Sequence, residues 1–134
     1  MQKQRKFLVI DDNSDGRALL TKTLMRKFPA CVVQECQSAD SAVTVTARKD
    51  LDAIIVHRLW EMDGATLIRA LRAANPTVPI VAVSGIDRSQ EAIAAGATSF
   101  IVYDEWLRIG SLVAELIGAG TESVHPFRVT TARN

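Results

Sequence analysis

No apolar run in this chain approaches the roughly 18 residues needed to cross a bilayer. A spanning helix is therefore not expected. The opening MQKQRKFLVIDD is basic, but its apolar run is short and stops at acids, so it does not read as a signal peptide. An excess of one charge is also missing. The formal net charge is +1, which supplies no field to draw the chain to nucleic acid or a membrane surface. Cysteine is scarce. Cys31 and Cys36 stand an odd number of positions apart on a strand-like run, so they should point to opposite faces, which disfavours a disulfide. Two lone cysteines make no metal motif and suit a reducing, cytoplasmic setting. There are no internal repeats, no P-loop, no G-x-G-x-x-G and no nucleophile–base pair, which leaves an enzymatic reading without residues to rest on.

What is present is an ordinary globular balance. The 134 residues are 48% hydrophobic and 23% charged, enough for one domain with its own core. Short apolar runs alternate with amphipathic stretches. KFLVI (6–10), CVVQEC (31–36), DAIIV (52–56), PIVAV (79–83) and SFIVY (99–103) read as strands. RALLTKTLMRKF (17–28) puts Leu20, Leu24 and Phe28 on one helical face and ends at Pro29. SADSAVTVTARK (38–49) offers Ser38 and Asp40 as caps. GATLIRALRAA (64–74) carries Leu67, Ile68 and Leu71 on a stripe closed by Asn75 and Pro76. A last helix is expected over 105–117, stacking Trp106, Ile109, Val113 and Leu116. AGTESVHPFRVTTARN (119–134) has no helical period and reads as a tail or linker after a domain of residues 1–118. Its VHPFRV stretch could pack on the body or engage a partner.

Strands that alternate with helices argue for an α/β fold with a doubly wound parallel sheet in three layers. The nearly continuous apolar strands 1, 3 and 4 suit central, doubly covered positions. Sites on such sheets form beyond the carboxyl ends of the strands. The informative residues are thus Asp11, Asp12, His57, Ser84 and Tyr103.

Four motifs occur in order: VIDDNSDGR after strand 1, MDG before helix 3, VAVSG at strand 4 and EAIAAGATSFIV into strand 5. Together, over residues 5–118, they resemble the receiver domain of two-component response regulators, a CheY-like family. The resemblance implies a flavodoxin-like sheet of order 2-1-3-4-5. It also implies four chemical roles: an acidic pair that holds Mg²⁺, a phosphoaccepting aspartate ending strand 3, a hydroxyl after strand 4, and a lysine after strand 5. Phosphoryl transfer needs this combination of nucleophile, divalent cation and cationic donor. Asp11 and Asp12 match the acids and Ser84 the hydroxyl. The phosphoacceptor position falls on His57, the lysine position on Tyr103 and the proline after it on Asp104. Trp60 and Glu61 stand where a proline usually precedes MDG, and the loop from His57 to Gly64 is about one residue short. Asp52 lies at the wrong end of the sheet and Asp63 too far along to substitute.

These departures from the family pattern point to a pseudo-receiver, in which an imidazole beside two carboxylates could take over the neutralising task of Mg²⁺ and lock the pocket. One cation about 4 Å from a carboxylate gains on the order of 4 kcal/mol in a partly shielded site, before desolvation is subtracted. Other readings of His57 are a solvent-facing side chain, a Zn²⁺ or Fe²⁺ ligand with Asp11 and Asp12, and a phosphohistidine. The acids could instead cap the first helix or keep a weak Mg²⁺ site. Ser84 could bind only local backbone. Phe100, at the family's switch-aromatic position, could be core or switch, and Tyr103 could fill the pocket mouth. GIDRSQEAIAAG (85–96) reaches its glycine turn about three residues early, so helix 4 should be short and the face of helices 4 and 5 remodelled.

The functional expectation is phosphorylation-independent signalling through a protein partner, either a histidine kinase or an output protein. The chain would be a monomer or a homodimer through the helix 4 and helix 5 face, with no nucleic acid and no membrane. The alternatives are a phosphorelay receiver with a non-standard acceptor and a metal or small-ligand sensor using Asp11, Asp12 and His57.

Overall fold

The computed structural model describes residues 4–118; the expected tail, with its VHPFRV stretch, lies outside the described residues. The element order is β1 (Lys6–Asp11), α1 (Ser14–Lys27), β2 (Val32–Cys36), α2 (Ala39–Ala47), β3 (Ala53–Arg58), α3 (Gly64–Ala74), β4 (Ile80–Ser84), α4 (Ser89–Ala95), β5 (Ser99–Val102), a 3-10 segment (Tyr103–Arg108) and α5 (Ile109–Gly118). The strands form one parallel sheet of order β2-β1-β3-β4-β5. This is the doubly wound, flavodoxin-like order.

Alternation along each strand divides the core in two. Leu8, Ile10, Ile54, Val56 and Ile80 face α2, α3 and α4, where Leu67, Ile68 and Leu71 meet them. Phe7, Val9, Ile55, Val81 and Val83 face α1 and α5, against Leu20, Leu24, Ile109 and Val113. Each such fully buried side chain contributes on the order of 1.5–3 kcal/mol. β1, β3 and β4 are buried nearly throughout, whereas the edge strand β2 is mostly exposed. Cys36 belongs to the first cluster and Cys31 packs on the second, so the two thiols do lie on opposite faces.

Local chemistry sets the helix ends. The Asn13 side chain accepts from Gly16 N (2.7 Å), Ser38 caps α2, and Asp63 caps α3 by accepting from Thr66 N (2.8 Å). α1 therefore starts three residues before the apolar stripe that marked it, because its first turn is polar. Pro29 follows the C-cap Phe28, as expected. α4 has seven residues, the short helix foreseen. It ends at Gly96, whose φ of +121° suits glycine and where a Cβ would press on Arg72 Cγ.

The continuous helix expected over 105–117 is corrected. Backbone at Glu105 (φ −101°, ψ 25°) interrupts a 3-10 run, and α5 starts only at Ile109. The stripe still faces the core: Ile109 and Val113 are buried, with Trp106 and Leu116 packed against them. Hydrophobic spacing fixes a face, but it does not distinguish tight turns from α turns.

Candidate functional site

The site is built at the carboxyl end of the sheet, where β1, β3 and β4 stop and their loops begin. β1 delivers Asp11, which is fully buried. His57, near the end of β3, donates from Nδ1 to Asp11 Oδ2 over 2.8 Å. The other carboxylate oxygen of Asp11, Oδ1, accepts from Asn13 N (3.0 Å). Both oxygens of this buried acid are therefore engaged. Gly16, in the first turn of α1, makes room for it: a Cβ there would overlap Asp11 Oδ2. Arg17 closes the other side, donating to Asp11 O (2.9 Å).

An irregularity in the β1–β3 ladder shapes this corner. Ile10 pairs with Val56, but Asp11 pairs with Arg58, so His57 is an extra residue on β3. Asp12 N donates to Arg58 O (3.0 Å). The Arg58 guanidinium Nε approaches Asp12 Oδ1 at 3.7 Å. The acid pair thus faces an imidazole and a guanidinium rather than a third acid.

Tyr103, the first residue after β5, stacks on the His57 ring with centroids 4.6 Å apart and planes inclined by 21°. β4 lies between β3 and β5, so this stack passes over the end of β4, where Ser84 sits. Burial, reinforced by the Asp11 carboxylate, raises the pKa of the Tyr103 phenol, while Arg58 opposes the rise. The Ser84 hydroxyl accepts from Ile86 N at 3.4 Å, a local strand-end bond. Phe100 is buried among the α3 and α4 core residues.

The structure brings together Asp11, Asp12, His57 and Tyr103 and corrects two expectations. Asp11 and Asp12 do not cap α1, because Asn13 is placed one residue closer and does so. Nor do Asp11, Asp12 and His57 form a three-ligand centre. Among the described residues no group of three His, Cys, Asp or Glu side chains is arranged to hold a metal ion. His57 spends its near nitrogen on Asp11, and Asp12 turns to Arg58.

Sequence reasoning missed Arg58 and Gly16. Arg58 follows His57 directly and would ordinarily point to the opposite face; only the extra residue redirects it. Glu61 stands out in the sequence only as a departure from the family pattern; its Oε1 accepts from Ala39 N (3.0 Å), tying the β3–α3 loop to α2. That loop holds Trp60 with its side chain 90% exposed.

The comparisons with known proteins agree with this fold. A family model for the response regulator receiver domain matches residues 7–104. The chain belongs to that family.

This receiver domain is 33% identical over 102 residues to a protein-glutamate methylesterase/protein-glutamine glutaminase of Azospirillum brasilense, covering 72% of this chain and 26% of that protein. It is 34% identical over 101 residues to a glycerol metabolism activator of Pseudomonas putida, covering 72% and 46%. The receiver domain thus spans less than half of either relative. Among solved structures, a two-component response regulator from Clostridium difficile superposes with a TM-score of 0.75 at 24% identity, covering 90% of this chain and all of that one. The receiver domain of a sensor histidine kinase from Pseudomonas aeruginosa, with magnesium coordinated in its active-site cleft, gives 0.74 at 22% identity over 87% and 99%. These likenesses share the fold.

The donors of the present receiver domain do not fit such a cation. Mg²⁺ demands near-octahedral oxygen ligands. Here the buried acid has both oxygens bonded, and an imidazole and a guanidinium adjoin the pair. Among the described residues, no helix is long and apolar enough to cross a membrane.

Proposed function

We propose that this receiver domain signals by protein contact and is not switched by phosphoryl transfer to an aspartate at the end of β3. The pairing of His57 with buried Asp11 carries the reading. An imidazole occupies the place from which the family's nucleophilic carboxylate would act. The phenol of Tyr103 occupies the place of the cationic lysine. Phosphoryl transfer to a carboxylate draws on a nucleophile, a divalent cation and a cationic donor acting together. His57 and Tyr103 supply neither the first nor the last.

Neighbouring acids are otherwise occupied. Asp63 caps α3. Asp52 lies at the amino end of β3, accepting from Lys6 N (2.9 Å). Asp11, Asp12, His57, Ser84 and Tyr103 are then a degenerate pocket, with Ser84 reduced to local bonding and Phe100 to core.

Signalling by contact needs an exposed apolar surface. Ile93 on α4 and Leu107 on the 3-10 segment are 48% and 59% exposed, and Ile86 and Trp60 lie on the loops beside the pocket. Isolated exposed side chains are common, but Trp is a frequent interface anchor. The partner is a histidine kinase or an output protein, in the cytoplasm, and the short α4 makes self-association through α4 and α5 the weaker mode.

The test is an NMR titration with beryllofluoride or acetyl phosphate in the presence of Mg²⁺. Spectra are expected to stay unchanged. A saturable shift centred on residues 11, 12, 57, 84 and 103 would overturn the proposal.

A further inference from the structure

Resting on that reading, we propose that His57 and Arg58 occupy the acid pair in place of a divalent cation, so that the pocket excludes Mg²⁺ and its rim is clamped in one arrangement. The extra residue in β3 is what makes this work. On a regular strand, neighbouring side chains point to opposite faces, so residues 57 and 58 would not both reach the acids. With the ladder shifted, Asp11 stands opposite Arg58, and His57 reaches Asp11 Oδ2 from the same strand end. Arg58 attends Asp12 (3.7 Å), so each acid has a partner of its own at the end of β3.

A divalent ion entering here would meet two obstacles. It would have to displace His57 from Asp11, leaving an imidazole without its partner. It would also compete with the Arg58 guanidinium for Asp12 and meet its like charge, weakened by solvent around that exposed side chain. Gly16 completes the arrangement: by lacking a Cβ it lets the Asp11 carboxylate settle against the first turn of α1. The clamp then continues through ring contact. Tyr103 lies on His57, so one chain of contacts links β1, β3 and the residue after β5. Tyr103 opens the 3-10 segment that leads into α5. The start of that segment is thus held by the same imidazole, with no metal or phosphoryl group required.

Calorimetric titration of the full chain with MgCl₂, and with MnCl₂ followed by electron paramagnetic resonance, tests the idea. The native protein is expected to show no saturable binding at millimolar metal. His57→Asp, which removes the imidazole and adds a carboxylate, is expected to bind both ions. Adding Arg58→Ala to it should tighten binding by about tenfold, the scale on which neighbouring groups tune metal sites. Arg58 is largely exposed, so this second change is compatible with folding. Saturable Mg²⁺ binding by the native chain would overturn the proposal, as would a folded His57→Asp protein that binds neither ion. Should His57→Asp not fold, the native titration decides alone. Native binding of Mg²⁺ without any beryllofluoride response would sink the exclusion of the cation and spare signalling by contact. A beryllofluoride response would sink the reading on which both rest.

Discussion

At the residue scale, the central object is a carboxylate with no solvent exposure, held by an imidazole whose side chain is 14% exposed. Removing the imidazole leaves a buried carboxylate one hydrogen bond short, which typically costs about 1–3 kcal/mol. His57→Ala is therefore expected to lose that much stability in urea denaturation, and His57→Asn, which keeps a donor, to lose less. Equal losses would mean that Asp11 draws nothing from the donor. Tyr103 provides a second handle because it is the chain's single tyrosine. Desolvation first, and then the Asp11 carboxylate, hold its phenol above the ordinary range, against the pull of Arg58. Its absorbance titration is expected to have a midpoint above about 10, and higher still in Arg58→Ala. The sign for stability follows. The neutral phenol is favoured in the folded state, so this contribution is complete below the unfolded pKa and is lost as pH rises through the folded one. A normal midpoint would contradict the buried stack.

At the scale of elements, the β3–α3 connection shows how small side chains set larger geometry. Asp63 ends the loop that follows Arg58, and its carboxylate accepts from Thr66 N and the Thr66 hydroxyl. Those bonds, the Thr66 hydroxyl foremost, hold the Asp63 carboxyl below its ordinary pKa. Its support for α3 is therefore complete above the unfolded carboxylate pKa and is lost as pH falls through the lowered folded value. Amide exchange in the first turn of α3 should accelerate on acidification through that window. Asp63→Asn, which keeps an accepting oxygen without titrating, should flatten the response. An unchanged pH profile in that variant would assign the titration elsewhere. The same loop carries the short Leu59–Met62 bridge and the Glu61 bond to Ala39 N, so Trp60 is exposed on a tied segment.

At the scale of the molecule, two apolar cores on either side of one parallel sheet hold five strands in order, and the site inherits its precision from them. One polar residue fastens the far end. Arg72 on α3 donates to Gly96 O (2.9 and 2.8 Å) and Val78 O (2.7 Å), joining α3, the approach to β4 and the turn after α4. Bonds from a charged donor contribute about 1.5–3 kcal/mol each in favourable cases. Arg72→Met, which keeps the stem and loses the fork, is expected to destabilise the whole domain by about 2 kcal/mol or more in thermal unfolding. A change confined to the Gly96 turn, with an unshifted melting temperature, would show the fork to be only a local tie.

Much of this was legible in the chain itself. Strand alternation and helical stripes are consequences of covalent geometry and burial, so α3 was found at its observed bounds and Leu20, Leu24, Leu67 and Leu71 were found as core. The strand-end residues could be named as candidates, since sites on open parallel sheets form beyond the carboxyl ends of the strands. The start of α1 and the 3-10 segment were less legible, because caps and tight turns leave little hydrophobic signal. Only the tertiary structure decided how the strand-end residues meet. Whether His57 and Arg58 share one side depends on the register between β1 and β3, two segments separated by more than forty residues. No local preference encodes such a shift. It is settled when the packed sheet finds partners for a buried carboxylate, an imidazole and a guanidinium at once.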